Sequence, residues 1–145
     1  MAVRAVVPRR VMPNRDLARD YLRRSQMRLR ALAVLYDAGS WADVVLESQE
    51  IVELTLKGLL RRCGVAPPRM HDVSEMLIAE HERLPLPLRE HLDLMVAVSR
   101  RMQGDRELAF YDAEDLTASG IYTVEDADRA RADAEALVAL IAPHV

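Results

Sequence analysis

Arg106 and Tyr111 are the residues in this chain best suited to chemistry. They are separated by four residues in the string RELAFYDAED, beside Glu107, Phe110 and Asp112. A guanidinium can hold a phosphate through two parallel N–H···O bonds, and a phenol can stack on a base or bond it through its hydroxyl. The competing reading is structural: Arg106 pairs with an acid across a dimer, and Phe110 and Tyr111 pack over the end of a bundle. His71 stands just before a helical stretch with Asp72 beside it. His81, His91 and His144 do not supply the i, i+4 partner of a zinc helix, so no metal site is expected. The expected role of His71 is a bond to backbone where its helix begins. Lys57, the chain's single lysine, follows Glu53 by four residues, the favourable order for a helix salt bridge. Lys57 and His71 complete the set of candidate ligand contacts. No cofactor is implied, and no Gly-rich phosphate loop occurs.

Other reactive groups are expected to be inert. Cys63, the one cysteine, adjoins Arg61 and Arg62, which would lower its pKa, but it sits on a C-terminal turn where the helix dipole acts the other way. Ser25, Ser48 and Ser99 fall on apolar faces as small packing residues.

These side chains must be positioned by helices, above all by Trp41 to Cys63. Trp41, Val44, Val45, Ser48, Ile51, Val52, Thr55, Leu56 and Leu59 recur at three- and four-residue steps, which makes a wide apolar stripe. Such a stripe touches more than one neighbour, so this is read as the central helix. Ser40 can cap it, with Asp43 as a weak return partner, and Gly64 can end it. Asn14 caps a first helix from Arg15 to about Ala38, and the two-residue link Gly39–Ser40 makes the two helices antiparallel neighbours. Asp72, with Glu75 in the capping-box position, starts a third helix to about Leu84, ended by Pro85 and Pro87. A fourth runs from about Leu88 to Met102 and is expected to stop at Gly104. Residues 105–122 are the least regular, with a short helical turn at Arg106–Tyr111. Thr123, with Asp126, caps a last helix to about Ala142. The fold class is therefore all-α, an up-and-down bundle of four to five helices over residues 14–145, preceded by a flexible arm at 1–13.

Charge is uneven. The chain carries −3 overall, yet residues 1–30 are strongly basic and residues 105–145 strongly acidic. The basic end could contact nucleic acid, or pair with the acidic segment in the same chain or a partner. No signal-length or membrane-spanning apolar run occurs, and one cysteine permits no internal disulfide, so the expected location is cytoplasmic.

From Tyr21 to Leu77 the chain resembles the HEPN domain family. The resemblance rests on a Leu-rich first helix, GSWADVVLESQEIVELTLKGLL, a Pro-containing link, and HDVSEML. The segments RELAFYDAED and IYTVEDADRARADAEALV extend it to about residue 142. It implies a four- to five-helix bundle, usually dimeric, often beside a small nucleotidyltransferase, with some members acting as ribonucleases in toxin–antitoxin or defence systems. The family's ribonuclease motif is an Arg, four to six residues, then a His. Arg106 fits the Arg, but Tyr111 stands where the His would be. The place of the modifiable Tyr two residues after the His holds Ala113. A phenol near its ordinary pKa is a poor general base at neutral pH. The resemblance and this departure lead to the expectation of a non-catalytic homodimeric module that binds a nucleotide, RNA or a nucleotidyltransferase. The alternative is a ribonuclease that uses Arg106 with a different partner such as Tyr111 or His71.

Overall fold

The computed structural model describes residues 9–10, 13–111 and 118–145, with side chains described over 13–104 and 120–145. Four long helices dominate: α1 (Arg15–Asp37), α2 (Trp41–Arg62), α5 (Leu92–Tyr111) and α7 (Val124–Ile141). Short helices α3 (Ser74–Ala79), α4 (Leu86–Arg89) and α6 (Ala118–Ile121) connect them. The expected all-α bundle is what the chain forms. One small addition is a two-residue antiparallel ladder, β1 (Arg9–Arg10) with β2 (Val65–Ala66). The remaining residues of the expected N-terminal arm up to residue 12 lie outside the described residues.

α2 is the centre because its apolar stripe is too wide for one neighbour. It packs against α1, α5 and α7. Val44, Val45, Ser48, Ile51, Val52, Thr55, Leu56 and Leu59 are buried as the spacing predicts and Leu60 joins them, while Trp41 at the head of the stripe is only partly buried. Ser48 and Thr55 survive burial by donating to the carbonyls of Val44 and Ile51, one turn back, at 2.7 Å each. Gly58 lets α1 approach closely, since a Cβ there would lie 3.1 Å from Tyr21 Cβ. Gly39 (φ 72°) and Gly64 (φ 77°) end α1 and α2 in the left-handed region that glycine adopts without strain.

The two caps expected at Asn14 and Thr123 both form. Asn14 Oδ1 accepts from Leu17 N at 2.9 Å, and Thr123 and Asp126 make a reciprocal capping box. At Ser40 the side chain instead donates to Asp43 Oδ2 and caps no backbone N–H. α7 is fastened to the α1–α2 corner around Tyr36. Its hydroxyl donates to Asp128, its ring meets Trp41 edge-on at 5.2 Å, and Arg131 lies over its face.

The third and fourth helices differ from the sequence expectation. α3 starts at Ser74 rather than after an Asp72 cap, and it ends at Ala79. A 3₁₀ turn, His81–Arg83, follows, and Ala79 and His81 are exposed. Pro85 opens the separate turn α4, and α5 begins only at Leu92. Gly104 does not stop α5, which continues to Tyr111. A single Gly costs a helix about 1 kcal/mol, too little to break one flanked by helix formers with no Pro following.

Candidate functional site

Gln49, Glu53 and Lys57 recur every fourth residue of α2, which places them in one row. Opposite them α5 offers Ser99, Met102 and Gln103. Gln49, Val52, Glu53, His71, Ser99, Met102 and Gln103 line a small cleft of about 10 Å³, room for about one water, and Lys57 joins them through its bond to Glu53. His71 reaches it from the link before α3.

Glu53 organises the cleft. Lys57 Nζ donates to Oε1 at 2.7 Å, and His71 Nδ1 lies 2.7 Å from Oε2. Burial pushes the Glu53 carboxyl up, but the bonds from Lys57 and His71 and their charges outweigh it and hold the carboxyl below its ordinary value. His71 therefore does not bond backbone, contrary to the sequence expectation. The Glu53 carboxylate is the better acceptor because it is charged and fixed. The imidazole itself remains about half exposed, at the mouth of the cleft.

Behind Glu53 the Gln49 side chain is only 4% exposed, and neither its amide nitrogen nor its amide oxygen has a hydrogen-bond partner. A buried amide with both functions open is costly unless something completes it. Ser99 has more than a packing role: it accepts from Val73 N at 3.1 Å and donates to Asp72 Oδ1 at 2.8 Å. Asp72 Oδ1 also accepts from Ser74 N. This network joins α5 to the start of α3 and fixes the link that carries His71.

The sequence candidates separate into two pairs. Lys57 and His71 meet on one carboxylate. The backbone of Arg106 and Tyr111 lies in the last two turns of α5, and their side chains lie outside the described residues. Arg106 follows Gln103 by three residues and Met102 by four, register positions that continue the row of α5 residues lining the cleft. Gln49 and Gln103 were not singled out from sequence. Gln49 carries a legible signal, a polar amide beside Ser48 within the buried part of α2. Cys63 is half-buried, and burial raises its thiol pKa more than Arg62 and Arg83 lower it, so it is a poor nucleophile. Among the described residues no cluster of His, Cys, Asp or Glu could hold a metal ion. No helix among them is long and apolar enough to cross a membrane.

The family model described as the HEPN domain matches residues 18–144, nearly the whole chain. Comparison with curated proteins gave no match. Comparison with solved structures gave none either.

Proposed function

The chain belongs to the HEPN domain family, and from that premise we propose that it is a non-catalytic module that dimerises and binds a nucleotide, free or as part of an RNA. The observation that carries this reading is the cleft between α2 and α5. It holds a buried amide with an open donor and an open acceptor, the pattern a nucleobase edge satisfies. Its row of α5 residues leads to Arg106, whose guanidinium suits the phosphate of the same ligand. Tyr111 in place of the motif's His removes the ordinary general base. A toxin–antitoxin or defence setting in the cytoplasm, with a nucleotidyltransferase as partner, fits this reading.

Dimerisation is supported by large apolar side chains left at the surface, Val34 at 69% and Met27 at 52% exposure on α1. Light scattering at high micromolar concentration is expected to give the mass of a dimer. A monomer alone would overturn that part of the reading.

A second reading has one observation in its favour. An exposed imidazole held 2.7 Å from a carboxylate is an oriented base, so His71 with Arg106 could cut RNA. The two readings separate when the purified protein is incubated with RNA. A binder leaves it intact, whereas the ribonuclease cleaves it and loses cleavage on Arg106→Ala.

A further inference from the structure

Arginines far apart in sequence meet at one end of the bundle. α1 and α2 are antiparallel, so the start of α1 lies against the end of α2, and Asn14 N donates to Arg61 O at 3.3 Å. Just past α2, the backbone of Arg9 and Arg10 pairs with Ala66 and Val65. Arg83, in the 3₁₀ turn, is close enough to Cys63 for its charge to act on the thiol together with that of Arg62. Arg15 opens α1, and Arg69 lies in the link after β2. The acids nearest in sequence are Asp16, Asp20, Asp72, Glu80 and Glu82.

This end gathers unpaired arginines. Elsewhere some arginines are neutralised in pairs, Arg28 with Glu47, Arg101 with Asp133 and Arg131 with Glu135, while Arg24, Arg30, Arg89 and Arg100 have no ion pair among the described residues. Among the described residues Arg15, Arg61, Arg62, Arg69 and Arg83 have no ion pair. The Nε of Arg61 is shielded from solvent with no hydrogen-bond partner. Arg19 and Arg23 carry unpaired charge further along α1 at four-residue steps. All this positive charge sits on a chain whose net charge is −3, so it is a local concentration.

We propose that this end is a sequence-independent contact for the phosphodiester backbone of a nucleic acid. Guanidinium forks match phosphate oxygens two at a time, and a run of unpaired arginines is the usual footprint of a polyanion site. An acidic protein fits less well, because it would need an apolar anchor. Of the large exposed apolar side chains only Met70 and Leu86 lie within three residues of these arginines in sequence; Met27, Val34, Ile78 and Leu94 stand further away in the chain. The surface is separate from the cleft, since Arg62 lies about 14 Å beyond Glu53 along α2 at about 1.5 Å per residue. It does not depend on the cleft reading.

The test is fluorescence anisotropy with labelled mixed-sequence RNA and with DNA of the same sequence, over a salt series. Wild type is compared with Arg15→Ala/Arg62→Ala/Arg83→Ala and with Glu53→Gln. The triple variant is expected to bind about tenfold or more weakly, with a slope of log affinity against log salt shallower by roughly 2 for single strands. RNA and DNA are expected to bind alike. Unchanged affinity and slope in the triple variant would overturn the proposal. So would displacement of RNA by poly-glutamate as readily as by unlabelled RNA, or a strong preference for either nucleic acid. If the triple variant does not melt cooperatively, each single variant serves, with an expected slope loss of roughly 0.7. Nucleic-acid binding that is lost in Glu53→Gln but not in the arginine variants would sink this inference and leave the cleft reading standing. Retained arginine-dependent binding with no effect of any cleft variant would do the reverse.

Discussion

His71 Nδ1 and Glu53 Oε2 lie 2.7 Å apart, joining the link before α3 to the middle of α2, while Lys57 holds the other oxygen of the same carboxylate. The histidine is about half exposed, so its bond to Glu53 serves to orient the mouth of the cleft. Glu53 and Lys57 are both largely shielded, and the imidazole is the exposed member of the three.

Replacing Glu53 by Gln is expected to destabilise the protein by about 1 to 3 kcal/mol at neutral pH, since two charged hydrogen bonds lose their acceptor. The sign of the pH dependence follows from the depressed carboxyl. Its stabilisation is complete above the ordinary value of 4.5 and is lost as pH falls through the lower folded value. Denaturant unfolding of both proteins over an acid series checks this. The gap between wild type and Glu53→Gln should close in acid, and a gap independent of pH would contradict the account.

Gln49 should trade stability against binding. Gln49→Leu removes two unpartnered polar atoms from a buried position, so the free protein should gain about 1 to 2 kcal/mol. The same change should weaken nucleotide binding, because the cleft loses its donor and acceptor together. Thermal melts paired with calorimetric titration of nucleoside monophosphates measure both. A variant that is less stable than wild type would mean the amide is satisfied in solution.

Two glycines inside helices should respond with opposite signs. At Gly104 a Cβ would meet nothing within 4 Å, so Gly104→Ala should stabilise α5 by about 0.5 to 1 kcal/mol. At Gly58 a Cβ would sit 3.1 Å from Tyr21 Cβ and 3.4 Å from the Ala18 carbonyl oxygen. Both neighbours belong to the body of α1 and cannot swing away, so Gly58→Ala should cost about 1 to 3 kcal/mol. Melting temperatures that move the same way in both variants would contradict the close packing of α1 on α2.

The fold was legible where one local signal agreed with the hydrophobic period. The stripe of α2, the Asn14 cap, the Thr123–Asp126 box and the Glu53–Lys57 pair all stand as read. Reading failed where a weak local signal met a tertiary one. Gly104 looked like a stop, but the residues around it hold the helix. Asp72 looked like a cap with Glu75, yet one of its carboxylate oxygens accepts from both Ser99 and Ser74 N, and Ser99 is distant in sequence. The cleft was half legible for the same reason. Lys57 and His71 could be named one by one, but their meeting on Glu53 depends on how the link folds back along α2.

The central claim is that this protein binds without cutting. The most direct measurement is incubation of the purified protein with labelled mixed RNA, beside an Arg106→Ala control, followed by both gel analysis and a binding assay. The account predicts intact RNA in both samples, with binding weakened by the substitution. Cleavage by the wild type that disappears in Arg106→Ala would contradict it and establish the ribonuclease reading instead.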